Sequence, residues 1–405
     1  MTHRHPHHQH HQQHKFTAQQ QLTELTMAPH ADEAVSVASD IVVPVVVSAE
    51  KLQSIQQAAP VQTEAVEETV KPAFPPAKYP HYLPTWEANI TPSPAYEPFA
   101  HHDPGLDADT SYPDLLLPGV KFTQLTPTIG TEITGLQLTS LSAAGKSQLA
   151  HLVASRKVVA FRAQDFADLP IADALDYGRF FGPLHIHPTS GIAEGYPETL
   201  IVHRGAGDDG PDRYFANRNS TVAWHSDVSY ERQTPAITFL YALEIPPTGG
   251  DTLFADAVEA YNRLSPAFQQ RLHGLKAVHS AVEQAAASTS RGKGIRREPV
   301  KTEHPIVRTH PVTGEKALFV NPVFTREVVG LKKEESDYLL KFLYDHIAFG
   351  ADFQARVRWE NGTVVLWDNR VTQHSALIDW KGGERRHLSR ITPQGGPSFE
   401  TPFEG

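Results

Sequence analysis

Hydrophobic and polar positions along the chain fall into three regimes. Up to about residue 75 neither a helical nor a strand period is sustained, and seven histidines between Met1 and His14 give way to Gln, Ala, Val and Glu tracts. Such a segment buries too little apolar surface to offset the entropy of ordering it, so residues 1–75 are expected to be a disordered extension. Within it, residues 42–47 are apolar but interrupted by Pro44, and read as a short β-prone piece. The histidines leave two readings open: a metal-binding tail, or an unstructured extension that meets metal only incidentally.

The second regime, residues 76–112, is rich in proline, including Pro76, Pro80, Pro84, Pro92, Pro94, Pro98 and Pro104. Each proline lacks an N–H and restrains its predecessor to extended backbone, which predicts an arm laid over a domain rather than a helix or central strand. Tyr79, Tyr82, Trp86, Tyr96 and Phe99 give that arm apolar groups with which to dock.

Periodic structure begins near Gly119. Residues 120–138 read as short strands broken at Gly130 and Gly135. Ser142 is placed to cap a helix that buries Leu149, Leu152 and Val153. Residues 158–161 form a compact apolar strand, and a helix over 171–181 should stop at Gly182. Ile237, Phe239, Tyr241, Leu243 and Ile245 alternate along an amphipathic strand. Further strands are expected at 252–255, 316–320 and 363–367. Ser265-Pro266 starts a helix carrying Phe268, Leu272 and Leu275, and another covers 334–347. Residues 285–301, with Arg291, Lys293, Arg296 and Arg297, read as a basic lid or as a solvated loop. Many short strands with a few helices outside them predict a mainly β fold with flanking helices, a sandwich or barrel. No repeat of 20–50 residues is present, so a solenoid or propeller is not expected.

Composition narrows the chemistry. A net charge of −10 and a pI near 6.1 supply no basic field for nucleic acid or an anionic membrane. No apolar run approaches the roughly 20 residues that cross a bilayer. The N-terminus has neither a secretory nor a transit pattern, and the cysteine-free composition fits a cytoplasmic protein. Without cysteine, thiolate metal sites and thiol nucleophiles are excluded, and any metal must be held by His, Asp or Glu.

His225 and Asp227 lie two residues apart in the short apolar run 221–230, so in an extended strand they would project from one face. Taken alone the pair is weak, since ordinary structural hydrogen bonding explains most such spacings. A third ligand is available downstream at His374, in the run 367–374. Two histidines and a carboxylate on one side of an iron ion would leave its other side open. A 2-oxo acid bound there would need a planar cation for its far carboxylate. Arg386 and Arg390 share parity on an expected strand that also carries Arg385, although an exposed basic strand end explains the spacing equally well.

The motifs taken together are more specific than any one of them. His-Ser-Asp at 225–227, Gly-Gly-Asp-Thr-Leu-Phe at 249–254, Trp-Asp-Asn-Arg-Val-Thr-Gln-His at 367–374 and Arg-Arg-x-x-x-Arg at 385–390 occur in one order. With the runs 181–188 and 308–321, they resemble the taurine dioxygenase family of iron(II)- and 2-oxoglutarate-dependent oxygenases, most nearly its fungal sulfonate dioxygenase branch. The resemblance covers about residues 113–398, leaving 399–405 as a C-terminal tail. It implies a double-stranded β-helix, or jelly roll, with His225, Asp227 and His374 as ligands of Fe(II). It also implies 2-oxoglutarate held by Thr252 and Arg386, Arg390 beside both co-substrate and substrate, and His187, Thr221 and Phe324 in the substrate pocket. The implied reaction consumes O2 and 2-oxoglutarate, releases succinate and CO2, and hydroxylates a small-molecule alkylsulfonate at the carbon bearing sulfur. The hydroxylated product would collapse to an aldehyde and sulfite, for sulfur assimilation. Members of the family form dimers or tetramers, so a homo-oligomer is expected.

This chain departs from the taurine enzyme's pattern at two pocket positions, Ser190 in place of a tyrosine and Thr221 in place of an asparagine. The 280–302 region differs as well. Two further hypotheses therefore stand beside the alkylsulfonate: the same chemistry on a sulfate ester, a carboxylate or an amino acid, and a non-catalytic metal-binding protein.

Overall fold

The computed structural model describes residues 32–37, 41–46 and 75–404, less 88, 206–214, 217, 381 and 382. The disorder expected across residues 1–75 lies outside these, apart from β1 (Asp32–Val37) and β2 (Ile41–Val46), which pair with each other.

The remaining strands are β3 (Lys121–Gln124), β4 (Thr131–Thr134), β5 (Val158–Phe161), β6 (Thr199–Arg204), β7 (Ile237–Glu244), β8 (Thr252–Asp256), β9 (Lys276–Ser280) and β10 (Lys301–Pro305). They continue with β11 (Val307–Thr309), β12 (Lys316–Leu318), β13 (Thr325–Val328), β14 (Gln354–Val357), β15 (Val364–Asp368), β16 (Thr372–Ala376) and β17 (Arg386–Ile391). The helices are α1 (Ala143–Arg156), α2 (Ile171–Arg179), α3 (Ala257–Asn262), α4 (Pro266–Leu272), α5 (Val282–Ser290) and α6 (Lys333–Phe349). Local chemistry accounts for several of the boundaries. The Ser142 hydroxyl accepts from Gly145 N–H at the start of α1, and Asp256 caps α3 by accepting from the Val258 and Glu259 N–H groups. Ser265 caps α4, with Pro266 at its first position.

Seven strands form one sheet in the order β3-β4-β5-β15-β7-β17-β6, and three form another in the order β14-β8-β16. Side-chain parity assigns the faces of the large sheet. Ile237, Phe239 and Tyr241 of β7, with Val364 and Leu366 of β15, pack into the core shared with Leu149, Val153 and Leu175 of α1 and α2. Leu240 and Ala242, with Val365, Trp367 and Leu388, pack instead against Phe254, Ala355 and Val357 of the small sheet. The small sheet's other face meets Leu340, Leu343 and Ile347 of α6. The strand β7 is therefore buried on both faces, not amphipathic as its alternation suggested, because helices cover one side and the second sheet the other.

The proline-rich stretch packs against the strands and turns that follow it. Tyr82 is fully buried with its hydroxyl 3.0 Å from that of Tyr241. Farther along, Asp103 accepts from Arg370 Nη1 at 2.5 Å, while Arg370 also donates to Asp368. This buried ion-pair group ties the arm to the turn that leads into β16. At the other end of the domain, the carbonyl of Phe399 accepts from Thr309 N–H at 2.8 Å, so the C-terminal tail is docked too.

The basic 285–301 stretch is not the solvated loop that its charge suggests. Its start is helical, in α5, and Arg296 and Arg297 are buried rather than solvated. No helix among the described residues is long and apolar enough to cross a membrane.

Candidate active site

His225, Asp227 and His374 converge, all three buried, with one donor atom from each lying within 4.8 Å of the others. The Asp227 Oδ1 oxygen stands 3.9 Å from His225 Nε2 and 3.6 Å from His374 Nε2. His374 lies on β16, opposite Phe254 of β8, and so faces the space between the sheets. His225 and Asp227 lie in no continuous strand. His225 joins His374 through an isolated two-way backbone bridge, with N···O distances of 3.1 and 2.8 Å. The chain then turns at 227–230, and Val228 takes φ 39°, a left-handed value that strains a β-branched residue. Asn369 fixes this turn: its Oδ1 accepts from Asp227 N–H at 3.0 Å, and its Nδ2 donates to Thr238 Oγ1 at 2.7 Å.

The electrostatics suit a metal. Burial lowers the pKa of His374 to about 3, with the neighbouring His225 adding to the effect, and burial likewise lowers that of His225. Both imidazoles are therefore neutral and able to ligate. The Nδ1–H of His225 donates to the Ala223 carbonyl at 2.9 Å, which directs the lone pair of its Nε2 toward Asp227. Burial alone would push the Asp227 carboxyl up, but Arg390, whose Nη1 donates to Oδ1 at 2.5 Å, holds it below its usual value. A carboxylate and two neutral imidazoles match the donor set of a divalent transition metal with open positions.

Beside this cluster is a cavity whose lining includes His225, His374, Thr252, Arg204, Arg386, Arg390 and Trp380. Parity explains the arginines. Leu388 of β17 faces the inter-sheet core, so Arg386 and Arg390, two residues to either side, face it as well. Arg204 of β6 is the cross-strand partner of Arg386 and points the same way. The only hydrogen bond from Arg386 to a described residue is from Nε to the Gly250 carbonyl, at 3.0 Å. Arg390 Nε is buried without a hydrogen bond among the described residues. Burial first, and then Arg204, lowers the pKa of Arg386 to about 10, so it remains a cation at neutral pH. The approach of Gly250 is close: a Cβ there would meet Arg386 Nε at 2.8 Å, and its φ of +71° favours glycine. Such a cavity, apolar on Leu240, Trp367 and Ile378 and cationic at one side, fits a small dicarboxylate.

The other expected pocket residues are placed differently. His187 is buried and feels the charge of Arg390, and its pKa is pushed well down, first by burial. Phe324 packs its ring 6.1 Å from that of His225. Thr221 is half-buried, and none of these three lines the dicarboxylate-sized cavity. Reading the sequence missed Arg204, Trp380 and Asn369. For Arg204 a signal was present, since Leu200, Val202 and Arg204 alternate in register.

Comparisons with known proteins agree with this geometry. The model for the family described as "Taurine catabolism dioxygenase TauD, TfdA family" matches residues 121–392. An alpha-ketoglutarate-dependent sulfonate dioxygenase of Saccharomyces cerevisiae is 47% identical over 325 residues, covering 78% of this chain and 78% of that protein. An alpha-ketoglutarate-dependent sulfate ester dioxygenase of Pseudomonas putida is 31% identical over 277 residues, covering 66% of this chain and 87% of that protein. Among solved structures, a taurine dioxygenase from Burkholderia xenovorans superposes with a TM-score of 0.56 at 30% identity, covering 70% of this chain and 97% of that one. With its buried two-histidine, one-carboxylate cluster and adjoining arginine-lined cavity, the chain belongs to the TauD, TfdA family of dioxygenases.

Proposed function

We propose that the protein is an iron(II)- and 2-oxoglutarate-dependent dioxygenase that oxidises an alkylsulfonate at the carbon bearing sulfur. The observation that carries this reading is the buried His225, Asp227 and His374 cluster opening beside a cavity lined by Thr252, Arg386 and Arg390. In this reading the first three residues hold Fe(II). Arg386 and Thr252 hold the distal carboxylate of 2-oxoglutarate, while Arg390 serves the anionic groups nearest the metal. His187, Thr221 and Phe324 belong to the substrate side. The oxygenase domain extends over 113–398 around a jelly-roll core, preceded by the arm at 76–112 and followed by the 399–405 tail.

When bound, ferrous iron with 2-oxoglutarate and O2 supplies the oxidant for C–H cleavage, as 2-oxoglutarate becomes succinate and CO2. The residues of the chain position and shield. Asn369 fixes the turn that presents Asp227, and Ala223 fixes the proton of His225 on Nδ1. Trp367 and Phe254 pack their rings 4.8 and 6.0 Å from that of His374, which keeps that side of the cluster dry. Arg390, already paired with Asp227, offsets the charge of anionic groups brought close together. Hydroxylation beside the sulfonate gives a 1-hydroxysulfonate, in which the C–S bond breaks to leave an aldehyde and sulfite.

Likeness to the sulfate ester dioxygenase supports a second reading with the same chemistry, in which an alkyl sulfate releases sulfate rather than sulfite. A screen for succinate across alkylsulfonates, alkyl sulfates, carboxylates and amino acids, with inorganic sulfite and sulfate measured separately, decides between them. Succinate formed with carboxylates or amino acids alone would sink both.

A further inference from the structure

The arm makes bonds whose placement is not explained by covering apolar surface. Thr85 and Ile192 exchange both backbone hydrogen bonds, at 2.8 and 3.2 Å. Ser93 N–H donates to the Arg296 carbonyl at 2.8 Å, and Glu298 N–H donates back to the Ser93 carbonyl at 2.9 Å. Tyr96 acts in two directions. Its hydroxyl accepts from Ile186 N–H at 2.8 Å, and the Arg297 guanidinium lies 3.6 Å from its ring centroid. The Lys293 ammonium lies 3.8 Å from the ring centroid of Trp86.

Residues 293–298 are bonded in turn to the loop that carries His187 and Ser190. Arg296 N–H donates to the Pro188 carbonyl at 2.8 Å, and its Nη1 donates to the carbonyls of Ser190 at 2.6 Å and His187 at 3.2 Å. Arg297 forms a forked pair with Glu231, at 2.6 and 3.1 Å, and His185 Nε2 lies 2.9 Å from the same carboxylate. Burial would raise the Glu231 pKa, but His185 and Arg297 hold it down at about 2, so the pair stays ionised. Burial lowers the pKa of His185, which leaves Arg297 as the charged partner. The loop is also pressed against the arm: a Cβ on Gly191 would meet the Pro84 side chain at 2.6 Å. Residues 293–296 belong to no helix or strand, and the backbone bonds of Arg296 run to the arm and to the pocket loop. An arm already restrained by its prolines loses little further entropy when it makes such contacts.

We propose that residues 84–99 are a positioning strap for the substrate side of the active site. Through Ser93 and Tyr96 they hold residues 293–298 on the His187–Ser190 loop and so set which substrates are accepted, without holding metal or 2-oxoglutarate. The inference rests on the reading of His187 and Ser190 as substrate-side residues.

The test uses full-length Tyr96→Phe, which removes only the acceptor for Ile186 N–H, and Tyr96→Ala, which also removes the ring under Arg297. With Mn(II) and 2-oxoglutarate bound, hydrogen exchange should quicken in 184–192 and 293–300. The increase should be about fivefold for the Phe variant, the equilibrium worth of one net hydrogen bond, and larger for the Ala variant. Affinity for 2-oxoglutarate, read by calorimetry, should be unchanged. Across short- and long-chain alkylsulfonates and alkyl sulfates, KM should rise and chain-length preference flatten, with kcat less affected. Unchanged exchange in both segments would overturn the proposal, as would exchange rising equally in β7 and β15, or a matching loss of 2-oxoglutarate affinity. If the wild-type protein oxidises no member of either series, the substrate reading fails, while exchange and calorimetry still decide the strap.

Discussion

Replacing Arg386 by methionine separates its role in ligand binding from its role in the fold. Arg386 is 4% exposed, pairs with Arg204 across β6 and β17, and has a pKa lowered to about 10, chiefly by burial. Relative to an ordinary arginine this is a depression of two to three pKa units. Because the pKa is lower in the folded state, the charged form at neutral pH disfavours folding, by about 3 kcal/mol. Arg386→Met keeps most of the volume and removes that penalty, so the ligand-free variant should be at least as stable as the wild type. Binding should respond in the opposite sense. Removing one partner of a buried ion pair costs about 3–5 kcal/mol, and each 1.4 kcal/mol is tenfold, so 2-oxoglutarate should bind between about 100-fold and about 4,000-fold more weakly. Calorimetry with the Mn(II)-loaded protein reads the affinity, and thermal denaturation with and without 2-oxoglutarate reads the stability. The wild-type protein should gain stability from the ligand at concentrations where the variant does not. An affinity loss of less than about tenfold would refute the assignment of Arg386 to a carboxylate.

Other perturbations probe the surroundings. Gly250→Ala would place a Cβ 2.8 Å from Arg386 Nε at φ +71°; it should weaken 2-oxoglutarate binding and cost about 1–2 kcal/mol of stability while leaving metal affinity alone. A chelator competition that found metal affinity falling in parallel would count against that separation. Asn369→Ala should loosen the Asp227 turn and weaken metal binding by about 10- to 100-fold, whereas Asn369→Asp, which keeps an acceptor for Asp227 N–H, should lose less. Equal metal affinities for the wild type and Asn369→Ala would contradict this role. His304 is buried, and burial, followed by Arg308, lowers its pKa to about 4. Its neutral form is favoured in the folded state, so its contribution is full above about pH 6.5 and is lost as pH falls toward 4, by about 3 kcal/mol. Denaturant unfolding of His304→Gln should accordingly show a shallower acid slope than the wild type; identical slopes would reject the burial argument.

The candidate site was legible in the sequence to the extent that chemistry follows from residue type and parity. Arg386 and Arg390 face the cavity because strand alternation is local, and the large sheet preserves it. His225 and Asp227 lie together without a continuous strand: an isolated bridge to His374 holds His225, and a turn with Val228 at positive φ follows Asp227. No local pattern announces such a turn, because the surrounding packing imposes it. The burial of Arg296 and Arg297 was likewise hidden: a basic run looks solvated until the aromatic arm and Glu231 are placed beside it. Alternation in 237–245 marked one buried face of β7, but the second face depends on a sheet formed by residues far along the chain.

The central claim is tested most directly by measuring sulfite and succinate in the same anaerobically prepared, iron(II)-loaded sample after O2 is admitted with 2-oxoglutarate and an alkylsulfonate. The account predicts equal amounts of both, abolished together by a chelator and by Asp227→Ala. Sulfite released by the chelated sample or by Asp227→Ala would contradict it.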